Sequence, residues 1–199
     1  MTRTVLLAAL AGAAVLSACS FGAKPPPTLM RLSPDAAAPA GSRTAPTAQA
    51  ITVVAPAVPQ ELMTLRVPVR ESGTQVTYLP KAQWVEMPNT MFARLLSDTI
   101  AAKTGRVVLD PRQFTFDPGQ RLTGTLQEFG FEETGSQAVV IYDAAIARGA
   151  NANAVETRRF EARVPVAAID AANAPAALNR AANDVAAQVA AWSAKLRAL

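Results

Sequence analysis

The first nineteen residues constrain this chain most strongly, because they predict the compartment in which the rest of it folds. Met1 to Arg3 is a short basic start, and Val5 to Leu16 is an uncharged run of Val, Leu, Ala and Gly. That run is shorter than the roughly 20 apolar residues that cross a bilayer, and small residues follow it. Leu16-Ser17-Ala18-Cys19 then has the form of a lipobox. We therefore predict a lipoprotein signal peptide over residues 1–18.

The single cysteine of the chain, Cys19, stands where a lipobox requires a thiol. A lone thiol is more often a small buried hydrophobe. Its place directly after Leu-Ser-Ala nevertheless favours a thioether-linked diacylglycerol over a core, catalytic or metal-binding role. A bacterial lipoprotein carries several acyl chains, each contributing about 0.8 kcal/mol per buried methylene, so such an anchor is stable. Ser20 follows, where Asp would favour the inner membrane, and the predicted location is the periplasmic face of the outer membrane.

The composition argues against catalysis and against nucleic-acid binding. The net charge of +4 comes from 19 basic and 15 acidic residues without a dense basic run, unlike a nucleic-acid-binding face. Histidine is absent, which removes the commonest general base and the commonest metal ligand. The nearest Ser-Lys pair, Ser193 and Lys195, is two residues apart on a predicted helix and points to different faces. We predict no enzymatic activity, no cofactor and no metal.

A proline-rich segment follows the predicted lipidation site. Eight of the 15 prolines lie between Ala23 and Pro59, and such a composition buries too little apolar surface to fold alone. Lys24 to Pro27 is expected to be an extended spacer, Thr28 to Leu32 a short edge strand, and Ser33 to Ala50 a mobile loop. We therefore assign residues 19–50 to a lipidated tether and residues 51–199 to one folded domain.

Runs rich in β-branched residues predict the strands of this domain. Residues 65–69 and 76–79 alternate apolar and polar side chains around a turn at residues 71–73, which indicates a hairpin that Pro80 stops. Two short strands are predicted at residues 51–55 and 107–109.

Three later runs, at residues 122–131, 137–148 and 160–166, are joined by short connections and predict an antiparallel meander. In the first of these runs, strict alternation places Leu122, Gly124, Leu126 and Glu128 on one face and Thr123, Thr125, Gln127, Phe129 and Phe131 on the other.

Two stretches have the helical period. The first is expected to be capped by Asn89 or Thr90 and to end at Gly105, and the second to begin at Pro175. Together with the strands they predict an α/β (α+β) fold of two layers, a curved and mainly antiparallel sheet with both helices on one face. The predicted apolar stripes are Met91, Phe92, Leu95, Leu96, Thr99 and Ile100 in the first helix, and Leu178, Ala182, Val185, Val189, Trp192 and Leu196 in the second.

Some side chains suggest a site but are better explained by packing or solvation. Tyr78, Trp84 and Trp192 are interface-type aromatics, yet large aromatics are usually buried within their own domain. Glu132-Glu133 is expected to be a solvated turn rather than a carboxylate pair, because successive residues point apart. Arg158-Arg159 is expected to be an exposed strand edge, with contact to lipid head groups as the alternative.

The order of these features resembles the ABC-type transport auxiliary lipoproteins, the PqiC-like partners of MCE-domain lipid transporters. The resemblance spans nearly the whole mature chain. It is carried by the lipobox, the Pro-rich tether, Val76-Thr77-Tyr78-Leu79-Pro80, Ala82-Gln83-Trp84, the helix through Met91 to Ile100, Gly105 with the strand after it, Leu122 to Phe129, Ala138 to Arg148, and the terminal helix reaching Ala191-Trp192.

This resemblance implies a fold similar to the N-terminal domain of the translocation protein TolB, on a periplasmic lipoprotein. The implied partners are an MCE-domain protein and an inner-membrane ABC permease with its ATPase. The leading hypothesis is a non-enzymatic lipoprotein that docks the periplasmic end of this lipid transport system. The alternatives are a lipid-binding carrier or insertion lipoprotein that holds an acyl chain between helix and sheet, and a structural envelope lipoprotein. A homo-oligomer is compatible with each of them.

Overall fold

The structure is a computed structural model that describes residues 28–37, 40–46, 49–111, 119–148 and 155–196. The predicted signal peptide, Cys19 and the spacer over residues 24–27 lie outside these described residues. Within them, eight strands form one mixed sheet and two α-helices pack on it. In chain order the elements are β1 (Thr28–Met30), β2 (Ile51–Val53), a 3₁₀ helix (Gln60–Leu62), β3 (Arg66–Ser72), β4 (Gln75–Trp84), α1 (Pro88–Thr104), β5 (Val108–Leu109), β6 (Gln120–Glu132), β7 (Gln137–Arg148), β8 (Val155–Pro165) and α2 (Ala174–Leu196).

The long strands β6, β7 and β8 form the predicted antiparallel meander, and β3 and β4 form the predicted hairpin. The edge of β6 that does not pair with β7 pairs with two separate groups of strands, called arms below. Residues 120–122 of β6 pair in parallel with β2, which carries β5, whereas residues 131–132 pair in parallel with β3, which carries β4 and β1. The two-layer α+β prediction is confirmed, with parallel pairings where the distant segments join β6.

A bulge in β6 changes which residues face the helices. The register with β7 shifts between Leu126 and Glu128, so one extra residue reverses the alternation. Leu126 and Phe129 therefore both face the core and are buried, whereas strict alternation placed them on opposite faces. Glu128 joins the face opposite the helices, where it contacts Arg70.

Residues 28–35, which belong to the predicted tether over residues 19–50, contact the sheet and α2. Strand β1 pairs in parallel with residues 82–84 of β4, which confirms a strand at the sheet edge. The chain then crosses to α2, where the amide N–H of Ser33 donates to Asn179 Oδ1 at 2.8 Å and that of Asp35 to Asn183 Oδ1 at 2.9 Å. Because these contacts are hydrogen bonds from backbone amides and not regularly spaced apolar contacts, the hydrophobic pattern of the sequence does not predict them.

Strand β4 continues past Pro80, where the sequence pattern predicted its end. Tyr78 pairs with Pro68 and Gln83 with Arg66, so the four residues 79–82 of β4 lie opposite the single residue Val67 of β3. Lys81 adopts a positive φ of 60° within this bulge. Pro80 has no amide hydrogen to donate to a neighbouring strand, and within the bulge it does not have to pair with β3. After the bulge the strand continues to Trp84, which is buried in the core.

Both helices bury the predicted stripes. Every stripe residue of α1 and α2 is buried. The α1 N-terminus differs from the prediction: Met87 is the N-cap without a side-chain cap, and Pro88 opens the helix, which needs no amide hydrogen there. Gly105 ends it with φ 65°, as predicted. Neither helix of the described chain has the length and apolarity of a membrane span.

Candidate functional site

The space between the helices and the sheet is filled by aromatic side chains. Trp84 stacks on Phe129 with ring centroids 4.9 Å apart, and Phe92 meets the Tyr142 ring edge-on at 5.3 Å. These four side chains are 0–1% exposed. Burial raises the pKa of Tyr142, whose hydroxyl donates to the Thr123 carbonyl oxygen at 2.9 Å. This interface is a packed core, and an acyl chain would have to displace aromatic rings to enter it.

A cleft of about 670 Å³ lies beside this core, between the flank of α1 and the arm made by β2 and β5. On α1, the small residues Ala93, Ser97 and Ala101 follow each other at intervals of four and therefore form one row. The opposite wall includes the half-buried Val54 and Val108. The volume falls within the roughly 300–1,000 Å³ of small-molecule pockets, but the cleft is open to solvent.

Charged groups line the cleft together with these apolar walls. Arg43 Nη1 donates to the Ala101 carbonyl oxygen in the last turn of α1 at 3.0 Å, as a second donor beside the Gly105 amide, and its charge favours this helix end. Burial raises the pKa of Asp98, and the nearby Arg94 guanidinium opposes that shift. Arg94 in turn forms an ion pair with Glu86 at 2.7 Å. The cleft is thus amphipathic, unlike the uniformly apolar cavity expected of an acyl-chain carrier.

Arg106 at one end of the cleft is a buried structural cation. Its side chain is 2% exposed, and it donates to the carbonyl oxygen of Ala50 at 3.0 Å and to Gln120 Oε1 at 2.8 Å. The Gln120 amide donates onward to the Leu196 carbonyl oxygen at 3.2 Å. One guanidinium thereby connects the entry to β2, the start of β6 and the end of α2.

The sheet face opposite the helices carries ion pairs between side chains of β3, β6, β7 and β8. Arg70 bonds to Glu128, and Arg163 bonds to Glu132 and to Glu161. Arg159 bonds to Asp143 at 2.6 Å and lowers the pKa of that carboxyl. Beneath these long side chains Val139 and Ile141 are 1% and 8% exposed, since arginine stems cover apolar surface while their head groups stay solvated. This face is polar and half-solvated.

A family model described as ABC-type transport auxiliary lipoprotein component matches residues 31–190. The chain belongs to this family. The match begins at Arg31, directly after β1, so the family domain includes the segment that crosses to α2 and not only the part from Ile51 onward.

Solved structures share the fold of this auxiliary lipoprotein. A crystal structure of an uncharacterized protein has a TM-score of 0.63 at 14% identity, covering 85% of this chain and 97% of that one. A crystal structure of a Xanthomonas campestris protein has a TM-score of 0.63 at 16% identity, covering 85% and 93%. At such identities the likeness shows the fold alone. No curated protein has a significantly similar sequence.

The residues that the sequence singled out in this auxiliary lipoprotein do not form one site. Trp84 and Trp192 are buried, as predicted, and Trp192 Nε1 donates to Glu156 at 2.8 Å. Tyr78 is half-buried under the Arg66 guanidinium, 4.0 Å from its ring centroid. Ser193 is buried whereas Lys195 is exposed, so that pair is separated. Cys19, the predicted lipidation site, lies outside the described residues.

Glu132 and Glu133 also separate, as predicted, because Glu132 contacts Arg163 while Glu133 is exposed in the turn. Arg159 contacts Asp143, and Arg158 lies 5.4 Å from the Phe160 ring centroid. Sequence reasoning missed Arg106 and Asn183. A signal existed for Asn183, a polar residue directly after Ala182 in the buried stripe, whereas Arg106 follows a helix end where charge is ordinary.

Proposed function

We propose that this protein is an outer-membrane lipoprotein that acts as the non-enzymatic auxiliary component of an MCE-type ABC lipid transport system, docking its periplasmic end. The family match over residues 31–190 carries this proposal. In this scheme Cys19 holds the lipid, and the folded domain offers a docking surface to the MCE-domain protein, with the permease and ATPase at the inner membrane. A membrane tether raises the local concentration of a partner without requiring a tight contact.

The packing of the core supports docking over lipid carriage. The carrier alternative needs a continuous apolar cavity between helix and sheet, and that space holds the rings of Trp84, Phe92, Phe129 and Tyr142. The cleft beside α1 is large enough for a small ligand, but its lining includes the charged groups of Arg43, Arg94 and Asp98, which are exposed or half-buried. An extended apolar chain would leave these groups poorly solvated.

Mild-detergent purification of the lipidated protein from its own envelope tests the proposal. Co-purification of an MCE-domain protein, a permease and an ATPase is the expected result. Cys19→Ala should leave the domain folded yet abolish the contribution to the lipid barrier of the envelope. Ser20→Asp keeps the lipid but should retain the protein in the inner membrane, so loss of the barrier contribution in this variant as well would show that the outer-membrane location is required in addition to the lipid.

Two results would contradict the proposal. Normal barrier integrity in the Cys19→Ala strain would remove the need for a lipid anchor. Recovery of bound lipid without any transport protein would favour the carrier, and the α1 cleft would then be the site to map.

A further inference from the structure

We propose that one corner of the sheet, the apolar corner made by Leu29, Met63, Leu65 and Val85, rests on the membrane leaflet that carries the lipid of Cys19. This inference rests on the proposed lipid anchor but concerns a different property, the face that the domain turns toward the membrane. Two observations support it: the exposure of these side chains and the length of chain that joins them to the anchor.

The exposure of the apolar corner is high for large aliphatic side chains. Leu29 is 61% exposed, Met63 56%, Val85 50% and Leu65 38%. Such side chains are common singly on protein surfaces, whereas a group of them indicates a contact surface.

The backbone places these four residues around the end of β4. Leu29 pairs with Gln83. The amide of Val85 donates to the Met30 carbonyl oxygen at 2.9 Å, and the amide of Trp84 donates to the Leu65 carbonyl oxygen at 2.8 Å. Met63 is two residues before Leu65. The corner is therefore built from β1, the end of β4 and the approach to β3.

Basic side chains accompany the apolar corner. Three exposed basic residues lie beside the paired ends of β1, β3 and β4 at this corner. Arg31 follows the last residue of β1, Arg66 pairs with Gln83, and Lys81 precedes Ala82, the partner of Thr28. The nearby carboxylate of Glu86 is already paired with Arg94 at 2.7 Å. Exposed aliphatic side chains bordered by Arg and Lys match a leaflet surface with anionic head groups.

The chain length keeps this corner near the lipid. Cys19 and Thr28, the first residue of β1, are nine residues apart (28 − 19 = 9), which limits their separation to about 30 Å. A domain of this size is about 40 Å across. Strand β1 is an edge of the sheet, and β8 lies five strand spacings away, roughly 24 Å. The short connection thus allows the β1 edge to lie at the leaflet and joins the anchor to the strand farthest from β8 on that side of the sheet.

Site-specific labelling of the lipidated full-length protein tests the orientation. Because the thiol of Cys19 is consumed by the lipid, a Leu29→Cys or Val85→Cys variant has one free thiol for a polarity-sensitive fluorophore. Val155→Cys is the matched control: Val155 is also 61% exposed, but it lies on β8. The labelled proteins are placed in vesicles of phosphatidylethanolamine and phosphatidylglycerol that contain a spin-labelled lipid as quencher.

The expected result is a blue-shifted and strongly quenched emission at positions 29 and 85, and an unshifted emission without quenching at position 155. Equal emission at all three positions, with the protein retained on the vesicles, would overturn the membrane contact and leave the anchor intact. Loss of the protein from the vesicles would overturn the anchor at Cys19, and this inference with it.

Discussion

The side-chain amide of Asn183 donates a hydrogen bond to the backbone carbonyl oxygen of Ser33 at 2.9 Å, although the two residues are 150 positions apart. The Oδ1 atom of the same side chain accepts the amide hydrogen of Asp35. Asn183 therefore offers one donor and one acceptor to the passing chain, as a neighbouring strand would. It is 4% exposed, so water replaces these bonds poorly.

Replacing Asn183 with Ala should release the segment around Ser33 and lower the free energy of unfolding by about 1–3 kcal/mol, because the two hydrogen bonds of its buried side chain to this segment are lost, at about 0.5–1.5 kcal/mol each. Urea unfolding measures the stability, and hydrogen exchange at the Asp35 amide measures the release. Asn179→Ala is the control, since Asn179 accepts one bond, from Ser33, at an exposed position. Unchanged protection of Asp35 in Asn183→Ala would contradict this account.

Replacing Arg106 with Ala should lower the free energy of unfolding by about 3–5 kcal/mol, because it leaves buried acceptors without their charged donor. Arg106→Lys should give a smaller loss, since an ammonium group keeps the charge but cannot reproduce the guanidinium geometry. Arg43→Ala should cost less than either, because Arg43 is half-buried and bonds to the end of α1. Thermal unfolding compares the three, and an Arg106→Ala protein as stable as Arg43→Ala would refute the structural role.

Replacing Gly124 with Ala should separate β6 from β7. An added Cβ would lie 2.1 Å from the Asp143 carbonyl oxygen and 2.7 Å from the Tyr142 ring, and such overpacking typically costs about 1–3 kcal/mol or more. Gly73→Ala is the matched control, with no atom within 4 Å of the new methyl. Melting temperatures should fall for the first variant and stay nearly constant for the second. Equal melting temperatures would mean that the strands tolerate the methyl group.

Two carboxylates should give pH dependences of opposite sign. Burial raises the pKa of Asp98 above its ordinary value of 3.8, so ionising it costs stability, and Asp98→Asn should become progressively more stabilising as the pH rises from the ordinary pKa through the raised one. The Arg159 hydrogen bond lowers the pKa of Asp143. Asp143→Asn should therefore lose less than about 1 kcal/mol above pH 4, and that loss should vanish as the pH falls through the lowered pKa. Urea unfolding across this range measures both slopes, and parallel slopes would contradict the assignment.

Local patterns predicted the elements whose structure is decided within one segment. The α2 stripe from Leu178 to Leu196 steps by four and three residues, and all six members are buried. Gly105 ends α1 because it adopts a positive φ, a preference visible in the sequence. The meander of β6, β7 and β8 followed from short connections between long runs.

Features decided by distant partners were not predictable from local patterns. The bulge after Leu126 appears in the pairing with β7, and no residue of β6 signals it alone. The parallel pairings of β2 and β3 with β6 join segments far apart in the chain. The α1 cleft likewise combines α1 with β2 and β5, so no contiguous motif describes it. Asn183 binds backbone atoms of residues 33–35, which have no side-chain periodicity.

In the exported lipoprotein proposed above, the bond between Asn183 and Ser33 also implies an order of folding events. A chain that emerges with its N-terminus first presents Ser33 long before Asn183, so the bond between Ser33 and Asn183 cannot form until most of the chain has crossed. The hairpin and the meander pair residues that are near each other in the sequence, and such pairings form quickly. Contacts across 150 residues form late. The segment around Ser33, close in sequence to the predicted lipidation site, thus emerges early and is joined to α2 late.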